Sequence, residues 1–218
     1  MASPPFPNFK KFPQLLESTG HLAEALLVGV TSSFADSLEK MLSFCPNIVN
    51  LATWFTRIRF ILVVDKLRLR RLCANFDDFT YEDFLTESVF VNLTHLDVLS
   101  FMGETWNKQF EALIHLPNLT HLSIGCSIEV KVIPQLLHHC CLLRILILFP
   151  EFPRQYLERD DTEERLVEIN DHRLVFLEGP PFPGLVYDWE KGVRGGIDSW
   201  AFSELVSLAQ SRASFSLS

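Results

Sequence analysis

Apolar residues return along this chain in spaced groups of three. Val91-Asn92-Leu93-Thr94-His95-Leu96-Asp97-Val98 and Pro117-Asn118-Leu119-Thr120-His121-Leu122-Ser123-Ile124 share the run N-L-T-H-L-x-(V/I). Counted from the leucine after the asparagine, the apolar positions are one, four and six. Leu142, Ile145 and Ile147 repeat that spacing, and Ile48, Leu51 and, more loosely, Leu69, Leu72, Ala74 precede it in register. Positions four and six alternate with polar residues, the signature of a short strand with one buried face. Between the triplets, Phe34 to Met41, Phe110 to Ile114, and Ile133, Leu136, Leu137 carry helical periodicity.

The first positions fall at 48, 69, 93, 119 and 142, giving steps of 21, 24, 26 and 23 residues. Leucine-rich repeats have this period. One strand with its return helix cannot bury its apolar face alone, so units must stack. The expected fold is therefore α/β: a leucine-rich-repeat-like solenoid with a curved parallel sheet, helices on the convex side and a C-terminal capping helix. The alternative is a compact α/β domain with a parallel sheet. Expected boundaries are an N-terminal entry or cap segment at 1–36, an irregular array at 37–177, and a C-terminal loop and capping helix at 178–218.

Beyond Phe149 the pattern loosens. The charged stretch from Glu151 to Glu168 predicts a solvated loop leading into a helix, and His172 to Leu177 a final strand. Gly179 to Gly184 is a loop by its prolines and glycines. The last helix should start at Asp198 or Ser199, either able to cap it, and run to about Arg212. Ala201, Leu205 and Leu208 would share its buried face, with Trp189 and Trp200 as anchors against the last repeat.

Composition narrows the function classes. The chain has 218 residues, 48% apolar and 21% charged, with 19 phenylalanines to fill a long narrow core. A net charge of -8 without a dense Lys/Arg stripe argues against nucleic-acid binding. Five cysteines, an odd number in apolar settings, point to free thiols in a reducing compartment. The N-terminus lacks an apolar signal core and no apolar run is long enough to span a bilayer, so the expected setting is intracellular, cytoplasmic or nuclear. On that setting, the glycosylation-like Asn92-Leu93-Thr94 and Asn118-Leu119-Thr120 are coincidental.

The chemistry-bearing residues do not assemble into a familiar site. His138-His139-Cys140-Cys141 cannot converge on one ion from consecutive positions, so no metal is expected. No G-x-S-x-G element or dinucleotide glycine loop occurs, and Asp77-Asp78 and Asp160-Asp161 sit in polar loops; neither catalytic residues nor cofactors are expected. One row stands out. Position three of successive repeats gives Asn50, Arg71, His95, His121 and Arg144, and position five gives Ala52, Cys73, Asp97, Ser123 and Leu146. On neighbouring strands these would line the concave face. The candidate protein-binding residues are Arg71, His95, Asp97, His121, Ser123 and Arg144, a strip suited to an acidic or phosphorylated peptide. The competing reading makes the Thr-His ladder structural.

The chain resembles the F-box and leucine-rich-repeat-like proteins of mushroom-forming (basidiomycete) fungi. The resemblance is carried by Phe90 to Leu96, Leu116 to Leu122, Asp171-His172-Arg173-Leu174-Val175, and most specifically by the tail from Asp188-Trp189-Glu190 through Gly195-Gly196-Ile197-Asp198-Ser199-Trp200. It covers roughly residues 40–212. It implies a repeat domain that selects substrate proteins for a ubiquitin ligase. No F-box-like element precedes the repeats here, so the ligase adaptor is implied only where an upstream F-box exists. The expected function is thus a non-catalytic protein-binding scaffold with an unidentified protein partner. The alternatives are a small α/β enzyme of hydrolase type and a truncated fragment without activity.

Overall fold

The apolar triplets become parallel strands. The computed structural model describes residues 24–29, 42–54, 64, 67–75, 79–99, 107–125, 128, 130–149, 169–178 and 184–216. Within them lie β1 (Ala25–Gly29), β2 (Asn50–Trp54), β3 (Arg71–Asn75), β4 (His95–Leu99), β5 (His121–Gly125), β6 (Ile145–Leu148) and β7 (Leu174–Phe176). They pair in sequence order and every pair is parallel. The chain is α/β, with one open, all-parallel sheet among the described residues.

Register is regular. Leu51, Leu72, Leu96, Leu122, Leu146 and Leu174 stand side by side, one per strand. Together with Val98 and Ile124 they face a single core. Among the described residues, short helices pack against that core: α1 (Tyr81–Thr86), α2 (Asn107–Leu113) and α3 (Val132–His139). Helix α1 starts with a reciprocal capping box, Thr80 Oγ1 accepting the Asp83 N–H and the Asp83 carboxylate accepting the Thr80 N–H. Its Phe84 ring meets Phe79 and Phe90 at 5.6 and 4.6 Å. Phe110, Leu113, Ile133, Leu136 and Leu137 fill the same space from α2 and α3.

The repeated Asn and Thr stitch unit to unit. The Arg70 carbonyl accepts the N–H groups of Thr94 and His95 and also the Thr94 hydroxyl, and the Thr94 carbonyl accepts the same three groups from Thr120 and His121. Asn118 donates to the Val91 carbonyl. At the end of the sheet Arg173 donates to the Leu137 and Leu143 carbonyls while held by Asp171 at 2.7 Å. That guanidinium satisfies a last-turn carbonyl of α3 and fixes the entry to β7.

Three expectations need correction. First, β1 lies inside the segment 1–36 expected to be an entry cap, so the sheet extends at least one strand further toward the N-terminus. Second, the triplet Leu142, Ile145, Ile147 is misread by one residue. Leu146 and Leu148 face the main core, Ile145 and Ile147 face the other side, and Leu142 is exposed. A one-residue slip exchanges the two faces of a strand, and the run Leu143 to Phe149, apolar but for Arg144, gives no alternation to set the phase.

Third, the C-terminal segment is not an end cap. It forms two helices, α4 (Gly184–Val193) and α5 (Ser199–Ser216), that cover the second face of the sheet. Trp189 packs with Ala52, Cys73 and Leu99 from β2, β3 and β4, and Trp200 with Ile145, Ile147 and Phe149. The reason is that this face is itself apolar over much of its area and must be covered. Helix α5 does start where expected, Asp198 Oδ1 accepting the Ala201 N–H at 3.0 Å. Its buried residues are Trp200, Ser203 and Ser207, whereas Leu205 and Leu208 are exposed. No helix among the described residues is long and apolar enough to cross a membrane. The expectations for Phe34 to Met41, Asp77-Asp78, Cys126, Gly179 to Pro183 and residues 151–168 lie outside the described residues.

Candidate functional site

The row expected at position three exists in part. Asn50, Arg71, His95 and His121 are consecutive partners across β2 to β5, and Asp97 pairs with Ser123 in the row beside them. The fifth place belongs to Ile145, not Arg144, because of the slip at β6. Arg144 instead precedes the strand, its side chain 69% exposed.

The histidines are locked. Each of Thr94 and Thr120 gives its single hydroxyl proton to a carbonyl, so each hydroxyl must accept from the Nδ1–H of the histidine that follows, at 2.9 and 2.8 Å. Both neutral imidazoles are then Nδ1–H tautomers with a bare Nε2. The rings stack at 4.1 Å and 3°, and Trp200 stands edge-on to both, at 5.7 and 5.5 Å. Burial, the neighbouring His121 and the Arg71 charge pull the His95 pKa down to about 3. Burial also lowers His121, against the pull of Glu204. His121 Nε2 lies 3.2 Å from Glu204 Oε1, a contact that becomes a hydrogen bond when a proton is shared between them.

The C-terminal helices supply the acids for this row. Arg71 Nη1 donates to Asp198 Oδ2 at 2.8 Å, a buried pair joining residues 127 apart in sequence. Asp97 stands 3.7 Å from Arg71 Nε, and burial pushes its carboxyl up to about 6. Glu204 lies 3.7 Å from Arg144. The spacing has a simple origin. From Asp198 to Glu204 a helix rises about 9 Å, and from β3 to β5 the sheet advances about 10 Å. Helix α5 therefore runs across the strands, and its two acids fall on Arg71 and His121.

The tail motif that carries the family resemblance now has a physical account. The Asp188 carboxylate accepts the N–H and hydroxyl of Ser199, tying α4 to α5. Gly192 is where Asp198 and Arg71 approach: a Cβ there would collide with the Asp198 carboxylate and come within 2.7 Å of Arg71 Nη1. Gly195 has φ +76° at the turn after α4, a conformation open to glycine.

No known family model and no curated protein matches the chain.

Of the six expected contact residues, Arg144 alone is exposed; Arg71, His121 and Ser123 are buried and His95 and Asp97 half-buried. The expected docking strip is thus largely occupied by the chain's own helices. Protonation of His95 near neutral pH cannot add charge to the strip, since its pKa lies near 3. Sequence reading missed Asp198, Glu204 and Gly192 as partners of the row, and only the tail's concentration of Trp, Gly and Asp signalled them. His138 and His139 close α3; Cys140 is buried with its thiol raised to about 11, and Cys141 is exposed.

What stays open is a cleft of about 580 Å³ at the start of the strands. It is lined by Asn50, Arg70, Arg144, the histidines and the turn from Gly192 to Gly196.

Proposed function

We propose that the chain is a short leucine-rich-repeat-like solenoid that binds another protein and performs no catalysis. The observation that carries this reading is the register: every strand pairs with the next one in sequence, and from β2 to β7 the core leucine recurs every 21 to 28 residues. Stacked units of that period offer a row of equivalent positions to a partner. The tail supports membership of the F-box and leucine-rich-repeat-like family, since Asp188, Trp189, Gly192, Gly195, Asp198 and Trp200 each have a definite structural task. On that membership the chain selects a substrate protein, and a ubiquitin-ligase adaptor is met only through an upstream F-box. The free thiols Cys45, Cys140 and Cys141 suit a cytoplasmic or nuclear setting. The contact surface of this proposal is the exposed strand-start edge around Arg70 and Arg144, not the covered row.

The experiment is capture from native-cell lysate on the immobilised full chain, with mass spectrometry and direct binding of the purified hit by calorimetry. Enrichment of one protein over a heat-denatured control, with direct binding, is the expected result. Failure of every enriched protein to bind directly would overturn the reading.

A further inference from the structure

The cleft at the strand starts is where positive charge remains unspent. It brings Arg70, Arg71 and Arg144 together with Asp198 and Glu204. Asp198 is committed to Arg71 and to the first turn of α5. Arg70 is exposed and makes no ion pair among the described residues. Arg144 meets Glu204 at 3.7 Å with both side chains in solvent, a contact that water and salt weaken.

The two exposed guanidiniums come from equivalent places. Arg70 immediately precedes β3 and Arg144 immediately precedes β6, with Thr94 and Thr120 at the same place before β4 and β5. Three strand spacings separate them, about 14 Å. Between them the threonine hydroxyls are bound to carbonyls and the imidazoles have bare Nε2 atoms. The cleft therefore has an exposed arginine at each end, with Glu204 beside Arg144, and threonines and imidazoles between them. An extended chain advances about 3.4 Å per residue, so four residues cover the same distance.

We propose that this cleft binds an extended peptide carrying two oxyanion side chains four residues apart, one paired with Arg70 and the other with Arg144. The peptide crosses the strand starts at right angles to the strands. Each guanidinium meets a phosphate or carboxylate in a two-pronged contact, and Glu204 gives way at Arg144. The proposal rests on the protein-binding reading and specifies its site and the pattern it recognises.

Calorimetry on the full chain tests it with synthetic ten-residue peptides in a glycine-serine background. One carries two phosphoserines four residues apart, one two glutamates at those places, one two phosphoserines two residues apart, and one no charge; inorganic phosphate is a fifth titrant. The expected result is binding of the four-apart phosphopeptide at least tenfold tighter than its two-apart isomer, with the glutamate peptide showing whether carboxylates suffice. Arg70→Ala and Arg144→Ala should each weaken it at least tenfold, and Arg70→Lys and Arg144→Lys less. Both residues are exposed, so the variants should fold, checked by circular dichroism. Equal affinity for the two isomers, insensitivity to either alanine variant, or equal affinity for inorganic phosphate would overturn the proposal. A captured protein that still binds both alanine variants would overturn this cleft while leaving the protein-binding reading intact.

Discussion

Arg71 and Asp198 are both buried and each is the other's closest charge. Removing one partner strands the other, which typically costs about 3–5 kcal/mol. Arg71→Met should lower unfolding stability by that amount in urea titration; a loss under about 1 kcal/mol would mean that Asp198 finds water. Gly192→Ala should have a similar effect, because its Cβ would occupy the pair's space. The pH dependence follows from His95, whose pKa falls from its ordinary 6.5 to about 3 on folding. A lowered histidine contributes fully above 6.5, and the contribution drains away as pH falls toward 3. Asp97, raised from 3.8 to about 6, acts in the opposite sense: its contribution is present below 3.8 and lost as pH rises through 6. The histidine moves further, and His121 moves with it, so the melting temperature should fall from pH 7 to 5, and less so in His95→Asn. Nitrogen NMR should show His95 Nε2 unprotonated and unshifted across that range; a titration midpoint above 6 would contradict the burial argument.

At the scale of elements, the sequence made one face of the sheet readable and hid the other. Leu51, Leu72, Leu96 and Leu122 alternate with polar or small neighbours, so their direction follows from spacing alone. In β6 every residue is buried, and a strand buried on both faces reads as a continuous apolar run. The slip at Ile145 has that cause. Helix α5 misled in a related way. Its leucines suggested the buried face, yet the sheet side holds Trp200 with Ser203 and Ser207, small residues that let the helix approach where the tryptophan does not fill the gap. Leu205→Glu and Leu208→Glu should therefore shift stability by no more than about 0.5 kcal/mol. Ser203→Leu should cost about 1–3 kcal/mol by overpacking, and Trp200→Ala about 3–5 kcal/mol by leaving a cavity. Denaturant unfolding of the four variants separates the faces; a large loss at Leu205 with none at Ser203 would reverse the assignment.

For the whole molecule, the period of the repeat was legible because each unit's contacts are local. The position of the C-terminal helices was not, since periodicity reports that a face is buried and not what buries it. Without residues 184–218, Ala52, Cys73, Leu99, Ile145, Ile147 and Phe149 would lose their cover. The deletion should bind a hydrophobic dye and melt at a sharply lower temperature; an unchanged melting curve would make these helices an independent arm. This cover is less completely hydrogen-bonded than the main core. Arg71 Nε, Trp189 Nε1, Trp200 Nε1 and Ser203 Oγ, all at this interface, find no hydrogen-bond partner among the described residues. It also joins residues 127 apart, whereas neighbouring strands are joined by residues about 25 apart. As the chain leaves the ribosome, each strand can add to the last within moments of its own synthesis, but the second face must wait until α4 and α5 have been made. Translation that stalls after β7 would release a formed sheet with one greasy side bare, so the closing helices decide whether a nascent chain stays single or clumps.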